Sequence, residues 1–113
     1  MNEDFSVALA VWEKFEDDYK KFTIQPMIQS YNAVLQPGMV RFGDLPPEFQ
    51  TVIASVTWQY GNLATQTPTF WKHITAQDWE AALAELRNFR DDHQSRRHQE
   101  ADHMEPALRR LRQ

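Results

Sequence analysis

The sequence predicts an all-α fold: a long N-terminal helix, a buried central helix, and three or more helices around them. Three observations carry this expectation. Phe5, Ala8, Trp12, Phe15, Tyr19 and Phe22 recur three and four residues apart, which puts them on one helical face. The stretch from Pro46 to Tyr60 is apolar nearly all round, as in the centre of a bundle. No segment alternates apolar and polar residues, and three glycines and six prolines do not suit a turn-rich all-β design.

The first helix is expected from about Asp4 to Tyr31. Pro26 should kink or split it, because proline lacks the N–H and clashes with the preceding turn. Asn32 to Leu45 reads as a connector, with turn signals at Pro37-Gly38 and Gly43-Asp44. Pro46 and Pro47 suit the first turn of the central helix, capped by Asp44 or a nearby group. Gly61 fits the position just past its end. Thr67-Pro68 starts a short helix with Phe70, Trp71 and Ile74. Thr75-Ala76-Gln77-Asp78 has the form of a capping box, leading into a helix from Trp79 to Phe89. Ser95 is the expected N-cap of the last helix, with Ala101, Met104, Leu108 and Leu111 on one side and Pro106 interrupting it.

At 113 residues the chain is expected to form a single helical domain. Residues 1–31 would be a long linking helix and residues 45–113 the main lobe. No apolar run approaches the ~20 residues of a membrane span. The first residues have neither a basic nor an apolar leader segment, so synthesis in the cytoplasm is expected. There is no cysteine, which excludes disulfides and thiolate metal sites. No cofactor is implied.

The net charge of −4 is unevenly placed. The start is acidic, and from Arg87 onward there are seven arginines and no lysine. Asp91, Asp92, Glu100, Asp102 and Glu105 interleave with those arginines, so the last helix reads as a solvated face. Arg109, Arg110 and Arg112 would suit the negative end of its dipole. The same interleaving, with an acidic pI near 5.5, speaks against a nucleic-acid partner. His93, His98 and His103 stand five apart, which does not put them on one helical face, so no metal site is expected.

Four stretches, taken in order, resemble the larger C-terminal lobe of phage-type lysozymes and pesticin-like muramidases. They are Trp58-Gln59-Tyr60-Gly61, Phe70-Trp71, Asp78-Trp79-Glu80-Ala81-Ala82 and Arg96-Arg97-His98-Gln99-Glu100. The resemblance covers about Leu45 to Met104, and the aromatic helix before it fits the family's linking helix. It implies a lysozyme-like helical lobe and a peptidoglycan glycan strand as substrate. The action would be in the periplasm or on the cell wall, after delivery or lysis. An immunity protein would be a further partner if the chain is an antibacterial effector.

The family's general acid is a glutamate in a Glu-Gly context at the start of a small lobe. This sequence has no Glu-Gly pair and no glycine-rich hairpin after it. The resemblance therefore implies a substrate-binding lobe, its catalytic lobe supplied in the same polypeptide or by a complementing fragment. None of the sixteen carboxylates stands in a context that argues for a cleft. Glu13, Glu16 and Asp17 read as a solvated face.

By resemblance, Gln59 lines the sugar cleft, since an amide offers both a donor and acceptors to hydroxyls. Its other reading is a helix-end residue bonded to nearby backbone. Asn62 has the same two readings, with a turn residue as the alternative. Trp12, Trp58 and Trp79 lie on apolar stripes and are expected in the core, which leaves Trp71 as the best candidate for partial exposure and stacking on sugar. Arg97, with Arg96 beside it, matches the lobe junction, where an arginine would face the catalytic acid. An ion pair within the helix, to Glu100 or Asp102, is the alternative. A different class of function rests on the Phe5 to Phe22 stripe, which would serve a non-catalytic interaction module as a partner surface.

Overall fold

The structure is a computed structural model that describes residues 17–89 and 94–111, without the side chains of residues 17–23. Among the described residues, six α-helices follow one another: α1 Asp17–Ala33, α2 Pro47–Tyr60, α3 Leu63–Gln66, α4 Pro68–Thr75, α5 Trp79–Arg87 and α6 Gln94–Leu111. A 3₁₀ turn at Phe42–Asp44 lies in the connector after α1. No strand occurs among the described residues, in keeping with the all-α expectation. Phe5, Ala8, Trp12, Glu13, Phe15 and Glu16 lie outside the described residues, as do the side chains of Asp17, Tyr19 and Phe22.

Helix α1 is not split at Pro26. Ile24, Met27 and Tyr31 recur on its buried face, and Pro26 is exposed between them. The ring thus faces solvent, where water can take the place of the helical hydrogen bond that the missing N–H removes. Helix α2 fills the centre, burying Phe49, Val52, Ile53, Ala54, Ser55 and Val56. Each large apolar side chain so buried contributes roughly 1.5–3 kcal/mol.

Pro47 opens α2 as expected, but Asp44 does not cap it. The cap residue is Pro46, whose carbonyl accepts from Phe49 N at 2.9 Å and Gln50 N at 3.2 Å. The Gln50 amide donates back to Leu45 O at 2.8 Å, which fixes the entry of the chain. Gly61 ends α2 at φ +80, and its N–H donates to Thr57 O at 2.6 Å. A Cβ there would meet nothing within 4 Å, so only the left-handed backbone requires glycine.

Further expectations are corrected. Helix α3 was not anticipated, since four residues carry no periodic signal. Thr75 closes α4 and donates its hydroxyl to Trp71 O at 2.8 Å. The cap of α5 is Asp78, which accepts from Ala81 N at 3.2 Å, and α5 ends at Arg87 rather than Phe89. Ser95 lies within α6, not at its cap, and α6 runs unbroken through Pro106. Pro106 and Asp102, one turn apart, both face solvent, so the carbonyl that loses its helical donor is on the wet side. Ala101, Met104 and Leu108 are buried as expected, but Leu111 is exposed. Helix α6 packs along both α5 and α2.

Candidate functional site

Two polar regions flank α2, and the residues singled out from sequence divide between them. The first is a groove of about 200 Å³ where α1 passes the end of α2. Its apolar lining includes Met27, Leu63 and Trp71, and its polar lining comprises Ser30, Thr57 and Asn62. Each is positioned for a local reason. Trp71 on α4 stands edge-on to Tyr31, with ring centroids 6.1 Å apart. Tyr31 is wholly buried and donates its hydroxyl to Ile74 O at 2.9 Å. Burial pushes the Tyr31 pKa up, and a hydrogen bond from Gln77 partly offsets this.

Asn62 is the N-cap of α3: its Oδ1 accepts from Thr65 N at 3.2 Å. Thr57 donates its hydroxyl to Ile53 O at 2.8 Å. Among the described residues, no carboxylate lines the groove.

The second region is a buried ionic cluster between α2 and α6. Arg97 and Glu100 are both fully buried, and Arg96 nearly so. The Arg97 Nη2 donates to Glu100 Oε2 at 3.0 Å and to Gln59 Oε1 at 2.5 Å. Its Nε lies 2.8 Å from Glu100 Oε1 as an ion pair rather than an aligned hydrogen bond. Ser55 donates its hydroxyl to Glu100 Oε2 at 2.5 Å. Arg96 donates to Ser55 Oγ at 3.0 Å and Ser55 O at 3.2 Å. The Arg97 guanidinium also lies over the Tyr60 and Phe89 rings, 5.7 and 5.6 Å from their centroids. Burial pushes the Glu100 pKa up to about 7, against the pull of Arg97, Ser55 and Arg96 towards the ionised form.

A carboxyl with a raised pKa is what glycoside hydrolysis asks of its acid. Glu100 nonetheless has no solvent-exposed surface, and arginine and serine groups engage both of its oxygens. No substrate oxygen can reach it in this arrangement, so its raised pKa reflects packing rather than catalytic use.

The structure therefore brings Asn62 and Trp71 together at the groove, and Gln59, Arg96 and Arg97 together in the cluster. Gln59 is half-buried and faces α6. Arg96 and Arg97 are not on the solvated face expected of them, whereas Arg109 and Arg110 are exposed. Trp58 is 39% exposed rather than in the core. Trp79 is half-buried against Phe49, with centroids 4.6 Å apart, and Trp12 lies outside the described residues.

Sequence reasoning missed Gln77. It adopts φ +56, and its amide donates to Val40 O at 2.6 Å and to Tyr31 Oη at 3.1 Å, while its Oε1 accepts from Val40 N at 3.2 Å. One side chain thus pins the connector to α1 behind the groove. Its position between two helices was the only available signal.

His93, Asp91 and Asp92 lie outside the described residues. Among those described, no three His, Cys, Asp or Glu side chains converge as metal ligands. None of the described helices is long and apolar enough to cross a membrane.

No curated protein and no solved structure matches the chain. The profile of a protein family does match: "Pesticin: Bacterial toxin homologue of phage lysozyme, C-term", over residues 7–80. The match takes in α1, α2, the groove and the start of α5. It stops before Arg96 and Arg97. It spans well over half of the 113 residues, and the chain belongs to this pesticin family of phage-lysozyme homologues.

Proposed function

We propose that this chain is the substrate-binding lobe of a peptidoglycan-degrading muramidase. The β-1,4 glycan strand would lie in the groove between α1, α2 and α4, and the general acid would come from a separate lobe. The observation that carries this reading is the lining of the groove: an indole, an amide and two hydroxyls, with no carboxylate among the described residues. Such a surface can hold a neutral polyhydroxylated ligand by stacking and hydrogen bonds. It cannot cleave one, because glycoside hydrolysis needs two groups flanking the bond, one of them a carboxylic acid. The family of phage-lysozyme homologues supports the substrate class.

Incubation with purified peptidoglycan tests the reading. The chain is expected to sediment with the walls and to leave their turbidity unchanged. Clearing of the walls by this chain alone would contradict the absence of a catalytic group. Failure to sediment would contradict the substrate.

A further inference from the structure

Gln77 stands where its residue type is unusual. Ala76 caps α4, and the next two N–H groups turn back over the helix end: Gln77 N donates to Ile74 O at 3.1 Å and Asp78 N to His73 O at 3.0 Å. Such a turn needs a left-handed residue just past the cap, and Gln77 supplies it at φ +56. Glycine or asparagine is the ordinary choice there, because a longer side chain crowds the backbone. Glutamine takes the position at a backbone cost, which its side chain offsets with three hydrogen bonds.

Those three bonds end on two elements. Two hold the N–H and the carbonyl of Val40 in the connector, and the third is donated to Tyr31 Oη at 3.1 Å. Tyr31, near the end of α1, passes the restraint on. Its hydroxyl donates to Ile74 O at 2.9 Å, so its oxygen is held from two sides. Its buried ring stands edge-on to Phe42 at 5.8 Å and 75°, and to Trp71 at 6.1 Å and 81°. Tyr31 is thus tied to α4 twice, at the Ile74 carbonyl and at the Trp71 ring. Trp71 itself is only half-buried and lines the groove. An indole with an open side keeps one orientation only where a neighbour holds it, and an edge-on ring pair has a preferred geometry that does so.

We propose that Gln77 is a positioning residue for the groove: through Tyr31 it holds the Trp71 indole in the orientation that a ligand meets. This rests on the glycan-binding reading above and adds to it the residues that prepare the site. A ligand that docks on a side chain already ordered does not bear the entropy of ordering it, so binding is tighter with the clamp than without it. The clamp also grips Val40, which makes the connector part of the same unit as the groove wall.

Fluorine NMR of fluorotryptophan-labelled chain, combined with sedimentation on purified peptidoglycan, tests this. The Trp71 resonance is the one missing from Trp71→Phe. Gln77→Gly suits the left-handed turn and removes only the side chain, so α4 should end as before. Tyr31→Phe keeps the ring and removes the hydroxyl. Arg110→Ala is the control, because it trims a surface bridge between α6 and α2. Under conditions where the variants are folded, Gln77→Gly and Tyr31→Phe should each shift or broaden the Trp71 resonance. Each should also weaken sedimentation about three-fold or more, the scale of one edge-on ring contact. Arg110→Ala should change neither. If one of the two variants does not fold, the other decides. A Trp71 resonance unmoved by the variants would overturn the inference and leave the glycan reading standing, as long as the unaltered chain sediments. A moved resonance with unchanged sedimentation would overturn it too, since the orientation would then not matter to the ligand. Equal loss in Arg110→Ala would overturn it in favour of general loosening. If the unaltered chain does not sediment at all, the glycan reading falls and takes the inference with it.

Discussion

The groove and the ionic cluster lie against the same helix, and they use their polar groups in opposite ways. In the cluster, Ser55 and Gln59 of α2 meet Arg96, Arg97 and Glu100 of α6, and the groups pair with one another in a largely buried setting. In the groove, Thr57 and Asn62 spend one atom each on local backbone, and both line the open surface proposed above to hold the glycan. The residues alternate along α2 and just past its end, two or three positions apart. On the proposed reading, charged groups therefore do not mark the site: the cluster joins α2 to α6, and the neutral groove would take the ligand.

Breaking the cluster should have the largest effect. Arg97→Ala leaves Glu100 buried without its main partner, at a cost of about 3–5 kcal/mol. Against a total stability of roughly 5–15 kcal/mol, urea denaturation should show a large drop in midpoint. The cost should be greater near pH ~8 than near pH ~5, because a protonated Glu100 needs no counter-charge. Glycan binding by the fraction that remains folded should be unaffected.

A change of pH gives a smaller effect on the same region. The folded-state pKa of Glu100 lies at about 7, above the ordinary 4.5. A raised carboxyl pKa means that the folded state holds its proton more firmly than the unfolded chain does. That stability is fully present below about 4.5 and is lost as pH rises through about 7. Glu85 is raised by burial as well and acts in the same direction, with His73 opposing it. Glu48 and Glu105 are lowered, Glu48 by a backbone hydrogen bond and Arg110, Glu105 by Arg87 and Arg109. Their contributions are lost only as pH falls below the ordinary range. Thermal melting should therefore weaken from pH ~4.5 to pH ~7, and Glu100→Gln should flatten most of that slope.

The smallest effect belongs to the surface. Arg110 donates to Glu48 at 2.6 Å, bridging α6 to the start of α2 with both side chains partly exposed. Arg110→Ala should cost less than about 1 kcal/mol and shrink further in high salt. A cost comparable to that of Arg97→Ala would erase the contrast between buried and exposed pairs.

Much of the fold was legible because backbone constraints are written in single residues. Pro47 and Pro68 open helices, Gly61 closes one, and the apolar run between them is the core. The same rules failed where context decided. Pro26 and Pro106 were expected to interrupt helices, but each lies on a solvent-facing side where the lost hydrogen bond is cheap. Arginines interleaved with carboxylates read as a wet face. Nothing local distinguishes Arg97, which has 0% exposure, from Arg110. The alternative of an Arg97–Glu100 pair was legible from their spacing, but its burial was not.

At the site, Asn62, singled out by resemblance, and Trp71, singled out as the tryptophan off the apolar stripes, meet in one groove. Gln59 was chosen by resemblance, as Asn62 was, yet its amide oxygen is taken by Arg97. Helical phase explains the difference: Gln59 falls two positions after Thr57 and so points to the other side of α2.

Amide and indole shift mapping on isotope-labelled chain, titrated with the N-acetylglucosamine trimer, tests the central claim most directly. Shifts concentrated at Met27, Ser30, Asn62 and the Trp71 indole, with Ser55, Arg96 and Arg97 unmoved, are the predicted result. Shifts centred on the α2–α6 cluster, with Asn62 and Trp71 unmoved, would contradict the account.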